Sequence, residues 1–450
     1  MKAIFNCVPP SLASKILLWV IFISLFFVLF RPVVSLLDPV GYYAWARSIL
    51  IDGDLDVTNE FTHYEFGDIR TTDTGMTHNQ WPPGSSMVWL PAMGVVHGVL
   101  STVDTGIPAD GYSWPYELAA STASALIGFL AIWMSFVLAR RYVGLFAATA
   151  ATAGIWLATP FVFYQYHQPL MSHTTDAFIN GAFIFVWLAT RDGENRPFKL
   201  ALLGLICAFA VAVRTQNGIL LFVSGIDVFI RMGRDVWNGF SVARIRPSFM
   251  RGVWIILGFV LGMLPLIFLW QTVYGTWFIN SYGVETGESL WNWRAPHVFD
   301  VLFSSNRGLF VWAPVYLLSV LGGWKLALKD RPLVILFGAI VGLQLYIVGS
   351  WHAWDGGDAF GPRFWLGLTP VAIVCLATLI DSFEMPKSPT LSRMKIGWTF
   401  GLLILVGWNF LLMLQYSLGW VPPNGTFDLG EMVLNQFLIV PHLVQQVLFG

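Results

Sequence analysis

The stretch ILLWVIFISLFFVLF, residues 16–30, decides the class of this chain. It is apolar throughout except for Ser24. With its flanks it reaches the roughly 20 residues that a helix needs to cross a bilayer core of about 30 Å. No small-residue cleavage site of the A-x-A kind accompanies it, so it reads as a retained anchor rather than a signal peptide. Comparable runs recur along the chain. Spans are expected near 16–36, 117–139, 143–163, 174–190, 199–213, 217–230, 252–273, 309–324, 332–350, 364–380 and 396–416.

Composition agrees. Hydrophobic residues make up 56% of the 450, charged residues 11%, and the mean hydropathy is +0.66. Soluble globular chains lie far from these values. A net charge of −1 points to no nucleic acid. The three cysteines, Cys7, Cys207 and Cys375, are scattered and suggest neither a disulfide framework nor a zinc cluster.

Basic residues set the orientation. With the N-terminus inside, only Arg31, Arg47, Arg70, Arg214, Arg294, Arg307 and Arg363 of the 25 Lys and Arg residues fall outside. The inside set includes Lys2, Lys15, Arg140, Arg141 and Lys387. This is the asymmetry of the positive-inside rule. Carboxylates gather outside, among them Asp38, Asp52, Asp54, Asp56, Glu60, Glu65, Asp68 and Asp73. The long polar and aromatic segments 37–116, 274–308 and 351–363 are outside too, as is a tail at 417–450 with room for a helix around 428–449. Long connections in compact proteins usually carry function. The expected architecture is all-α: a polytopic integral membrane protein of about 11 transmembrane helices, with interfacial helices in the first outer loop. Residues 1–416 form the multi-spanning domain and 417–450 the outer tail. No internal repeat is evident.

Directly after the first span comes LLDPVGYYAWARSILIDGDLD, residues 36–56. Asp38-Pro39 is a standard helix start, the carboxylate capping and the proline at the first helical position. The same carboxylate, at the end of a span, is placed to take a proton from a hydroxyl nucleophile. Tyr42 lies one turn on from Asp38, and Tyr43 and Arg47 form the neighbouring face. In THNQWPPGSSMVWLPAMGVV, residues 77–96, Trp81-Pro82-Pro83-Gly84 breaks the chain before an apolar return. His78 and Asn79 are polar candidates beside it.

In QYHQPLMSHTTDAF, residues 165–178, His173 and Asp176 share a helix face near the outer end of a span. Ionisable residues at membrane depth are costly and are functional candidates by default. Both types ligate divalent metals, so a divalent metal is one reading of the pair, although no third ligand is evident and no other cofactor is called for. A hydrogen-bonded structural pair explains them equally. Arg214 sits at the tip of the short hairpin 199–230 and needs an anion, a carbonyl cluster or a salt bridge. VYGTWFINSYG, residues 273–283, contributes Tyr282, and SSNRGLFVWAPVYLL, residues 304–318, contributes Arg307, which alternatively snorkels. WHAWDGGDAFGPRFWLGLTP, residues 351–370, contributes His352, Asp358 and Arg363. Arginine suits bidentate phosphate contacts, and Asp355 and Asp358 are near enough in sequence to neutralise it.

The order of these motifs resembles that of GT-C glycosyltransferases that use polyprenyl-phosphate-linked sugars, the protein O-mannosyltransferase and aminoarabinose-transferase type. The resemblance rests on Asp38 with Tyr42, Trp81-Pro82-Pro83-Gly84, Tyr274-Gly275 with Ser281-Tyr282, Arg307-Gly308-Leu309-Phe310, and Gly356-Gly357 with Phe360-Gly361-Pro362-Arg363. It covers about residues 16–415. Three departures stand out. The acidic pair after the first span is Asp-Pro here, Asn79-Gln80 stands where a lysine is frequent, and no large soluble C-terminal domain is present.

The resemblance implies an inverting transfer of a sugar from a polyprenyl-phosphate donor to a lipid, glycan or protein hydroxyl, among membrane lipids, at the periplasmic face of a bacterial inner membrane. In it Asp38 is the base, and Asp176 or His173 orients the acceptor. Arg363 holds the donor phosphate, with Arg307 and Arg214 as second choices; Tyr42, Tyr43, Arg47, His78, Tyr282, His352 and Asp358 are further substrate contacts. Three rivals share parts of this pattern. A transporter or flippase needs paired charges near the bilayer midplane, whereas the polar residues here gather at one surface. A polymerase or ligase with a diphosphate donor shares the arginines. A non-catalytic membrane subunit shares the topology.

Overall fold

The computed structural model describes residues 12–35, 37–67, 69–191, 196–283, 290–383 and 390–449. Lys2, Cys7, Asp68 and Lys387 lie outside the described residues. The described chain is all-α. Its only β features among those residues are two isolated bridges, Thr71 with Thr77 and Trp291 with Trp351. Among the described residues six helices are long and apolar enough to cross a membrane: Leu12–Leu29, Trp114–Ala139, Val242–Tyr274, Arg331–Ser350, Arg363–Ser382 and Arg393–Ser417. This is a multi-pass membrane protein.

Proline sets most boundary differences from the sequence reading. The first span stops at Leu29 rather than at 36, because Pro32 cannot donate a helical hydrogen bond and biases Arg31 away from the helix. The expected span 143–163 divides at Pro160 into Leu145–Leu157 and Phe161–Tyr166. The span 309–324 divides at Ala313-Pro314 into Leu309–Trp312 and Val315–Ala327. Elsewhere proline starts helices. Arg331–Ser350 opens with Pro332 in its first turn, under an Asp330 cap whose carboxylate accepts the Leu333 N–H at 3.1 Å. The tail forms the helix Leu429–Phe449.

The chain divides into two compact units. Unit 1 comprises 1–28, 132–164 and 290–450; unit 2 comprises 29–131 and 165–289. In unit 1, Arg363–Ser382 is 89% buried over its apolar window. A helix apolar on all sides belongs inside a bundle, and this one forms the core of its unit. In unit 2, Pro197–Val213 and Val242–Tyr274 touch backbone to backbone. A Cβ on Gly204 would meet the Ile255 carbonyl oxygen at 2.0 Å, and one on Gly258 would meet that of Ala201 at 2.0 Å. Small residues permit such close packing where lipid supplies no hydrophobic drive between helices.

Unit 2 also contains the segment 37–116, whose described residues form the α-helices Leu37–Arg47, Thr58–His63 and Gly84–Thr102 and a π-helical turn at Ser48–Asp52.

Candidate active site

Nine of the residues selected from sequence lie in unit 2 and four in unit 1. In unit 2 the outer helix Leu37–Arg47 is buried from Pro39 to Arg47, while Asp38 at its first turn is half-buried. The indole Nε1–H of Trp81 donates to Asp38 Oδ1 at 3.1 Å. Trp81 is itself fixed on several sides. Its carbonyl accepts from Trp45 Nε1 at 2.7 Å, its N–H donates to Asn79 Oδ1 at 3.1 Å, and its ring meets Phe66 edge-on at 5.8 Å. The ring also lies flush on Gly41, where a Cβ would come within 2.0 Å of it. Glycine at 41 is therefore a packing requirement.

Asn79, which stands in place of the lysine frequent in the resembled family, is 1% exposed. Its Nδ2 donates to the Gly41 carbonyl at 2.8 Å, and its own carbonyl accepts from the Tyr274 hydroxyl at 2.5 Å. A buried amide with both ends used is a clamp. His78 Nε2 lies 3.0 Å from the Ser281 carbonyl oxygen, and its ring meets Tyr274 edge-on. Neighbouring Tyr282 is half-buried.

Tyr42 joins this helix to the second cluster. Its hydroxyl donates to Ser172 Oγ at 3.1 Å, one residue before His173. His173 and Asp176 are each 2% exposed. Arg214 Nη1 lies 2.9 Å from His173 Nδ1, and its Nε lies 3.9 Å from Asp176 Oδ2. A guanidinium only donates, so Nδ1 accepts and the ring proton sits on Nε2. Asp176 Oδ1 accepts from Asn217 at 2.8 Å and from Asn180 at 2.9 Å. The pair is thus committed to Arg214 and two amides. Among the described residues no group of three or more His, Cys, Asp and Glu side chains is arranged to hold a metal ion.

Tyr43 and Arg47 build the outer loop. The buried Tyr43 hydroxyl donates to the Gly111 carbonyl at 2.8 Å. Arg47 donates to Glu60 at 2.9 Å and to the Asp110 carbonyl at 3.1 Å, bonds Asp52, and lies 4.2 Å over the Tyr112 ring. Glu60 is fully buried. Burial pushes its carboxyl up to about 7, against the opposing pull of the Arg47 hydrogen bond. These contacts account for Arg47 without a ligand.

In unit 1, Arg307 is 2% exposed and has a left-handed backbone, with φ of 60°. Its guanidinium donates to the carbonyls of Ala359 at 3.0 Å, Pro422 at 2.9 Å and Gly425 at 3.3 Å, and to Asn306 Oδ1 at 2.6 Å. It clasps two distant segments rather than snorkelling. Asp355 accepts from Asn306 Nδ2 at 2.7 Å and from the Gly357 N–H at 3.1 Å. Arg363 is half-buried, its guanidinium 5.6 Å from the Phe364 ring centre. Its side chain runs against Gly356, where a Cβ would meet Arg363 Nε at 3.1 Å. His352 and Asp358 are exposed.

Sequence reasoning passed over Trp81 as a donor, Asn79 as a clamp, and Ser172, Asn180 and Asn217 altogether. Only Asn180 carried a local signal, four residues after Asp176 on one helix face.

No family model matches the chain, and no curated protein does. Solved structures do. ArnT from Cupriavidus metallidurans, in the apo state, is 15% identical with a TM-score of 0.49, over 95% of this chain and 76% of that one. The archaeal oligosaccharyltransferase AglB from Archaeoglobus fulgidus, in complex with an inhibitory peptide and a dolichol-phosphate, is 12% identical with a TM-score of 0.52, over 93% of this chain. This chain spans 56% of the AglB length. This chain shares the fold of AglB.

Proposed function

We propose that this chain is a membrane glycosyltransferase that moves a sugar from a polyprenyl-phosphate donor to an acceptor hydroxyl. The observation that carries the reading is Asp38. It is a half-buried carboxylate at the start of a helix that is otherwise packed on every turn, fixed from the side by a neutral indole N–H. Such a group is suited to taking a hydroxyl proton. The fold shared with AglB, a protein solved with a dolichol-phosphate and a peptide, supports a lipid-phosphate donor and a separate acceptor.

In the proposed step the acceptor oxygen attacks the anomeric carbon and its proton passes to Asp38. The bond from that carbon to the phosphate oxygen breaks, and its electron pair leaves with the phosphate. One displacement inverts the centre and needs no covalent enzyme intermediate. The leaving phosphate calls for cationic stabilisation more than for a strong acid. Arg307, spent on carbonyls, serves the frame. His173, Asp176 and Arg214 act through Ser172 and Tyr42, holding the outer helix in register. The assignment extends over residues 1–416, with the outer face taken as the periplasm of a bacterial inner membrane.

The test is transfer from labelled polyprenyl-phosphate sugars in membranes containing the chain. Label in an acceptor with release of the lipid phosphate is the expected result. Transfer from polyprenyl-diphosphate glycans alone overturns the donor class, and no transfer from either overturns the enzyme reading.

A further inference from the structure

Asp38 is held by a residue that no chemistry of the transfer itself requires. Trp81 is 4% exposed and fixed by Trp45, Asn79, Phe66 and Gly41, yet its Nε1–H points at a carboxylate oxygen 43 positions away in sequence. Holding a large buried indole this firmly needs a glycine at 41 and a buried amide at 79. Simple hydrophobic filling by a phenylalanine would need no polar aim at Asp38. An indole N–H is a donor only, and it is neutral, so it orients a carboxylate without contributing a positive charge. A catalytic base loses rate when its direction wanders even slightly from the productive one.

We propose that Trp81 is a positioning residue for Asp38, its indole N–H fixing the direction of the carboxylate, with Asn79 as the clamp that fixes Trp81. This rests on the assignment of Asp38 as the base. It extends that assignment by giving the Trp-Pro-Pro-Gly turn a task beyond reversing the chain.

The experiment uses the full chain in nanodiscs. Replacing Trp81 by benzothienylalanine exchanges the indole N–H for sulfur and keeps the ring shape. The expected result is a roughly tenfold fall in kcat, with KM for the polyprenyl-phosphate sugar within about twofold, because one hydrogen bond to a charged group is lost at the reacting centre only. Unchanged kcat overturns the proposal, and so does a rise in KM alone. Asp38→Asn is run beside it. If Asp38→Asn transfers sugar at the wild-type rate, the base assignment falls and the positioning role with it. If Asp38→Asn is inactive while the sulfur isostere is fully active, only the role of Trp81 falls.

A second arm needs no substrate. In fluorotryptophan-labelled protein, the fluorine resonance that disappears in Trp81→Phe is expected to shift in Asp38→Asn. A resonance that stays in place shows that the indole does not sense Asp38, and overturns the proposal even if the donor sugar is unknown.

Discussion

Two regions of this molecule, one in each unit, spend their polar groups in opposite ways. In unit 2, side chains from distant segments hold one another around Trp81, whose indole N–H donates to the half-buried Asp38. Around Arg307 in unit 1, one guanidinium gathers backbone carbonyls from the 355–361 and 420–427 segments, and the contacts end in the protein itself. In the proposed function the first arrangement aims the base. The second closes a corner. A residue type common in phosphate sites therefore says little until its hydrogen bonds are counted, because a buried guanidinium with four acceptors is already satisfied.

That contrast can be broken by substitution. Arg307→Ala leaves at least three carbonyls without their charged donor in a buried corner. A loss of about 3 kcal/mol or more is expected, seen as a fall in folded yield and thermal stability. If Arg307→Ala folds normally and loses only donor affinity, the clasp is wrong and Arg307 belongs with the ligand. Asn79→Leu keeps the volume roughly and removes both amide functions. It strands the Gly41 carbonyl and the Trp81 N–H, and is expected to cost about 1–3 kcal/mol together with a fall in kcat. Equal losses of kcat in Arg307→Lys and Asn79→Leu at matched stability would erase the distinction between the two regions. Asn217→Ala removes one of the two amides on Asp176 and is expected to cost about 1–2 kcal/mol by thermal melting.

The smallest effect sharpens the comparison inside the outer loop. Buried Glu60 has its carboxyl raised to about 7, so the folded chain binds this proton more tightly than the unfolded chain. Its contribution to stability is fully present below the ordinary carboxylate range and is lost as pH rises through about 7. The slope attributable to one such proton is at most about 1.4 kcal/mol per pH unit. Glu60→Gln is expected to flatten this part of the dependence in melts between pH 5 and 8. An unchanged slope assigns it to other groups.

Much of the architecture was legible because hydropathy and charge act locally. Each expected span overlaps a helix, and the tail helix falls where the apolar pattern placed it. The divisions at Pro160 and at Ala313-Pro314 were less legible, since proline in an apolar run either kinks a helix or ends it. The candidate site residues were chosen by residue type, not by partner. Asp38, Tyr42, His173 and Asp176 carry visible spacing, whereas the donor to Asp38 lies 43 residues away and the partner of Tyr42 lies 130 away. Periodicity reports which face a residue occupies, and nothing in it reports which distant segment that face meets. Asn79 illustrates the same limit. As sequence it is a missing lysine; in the fold it is the amide that locks the turn onto the outer helix.

The most direct measurement is the rate of sugar transfer from a labelled polyprenyl-phosphate donor by purified wild type and Asp38→Asn, matched for folded protein. The account predicts a loss of at least about 100-fold in kcat for Asp38→Asn, in line with removal of a general base. Wild-type turnover in Asp38→Asn would contradict it and leave Asp38 a structural residue in the first turn of its helix.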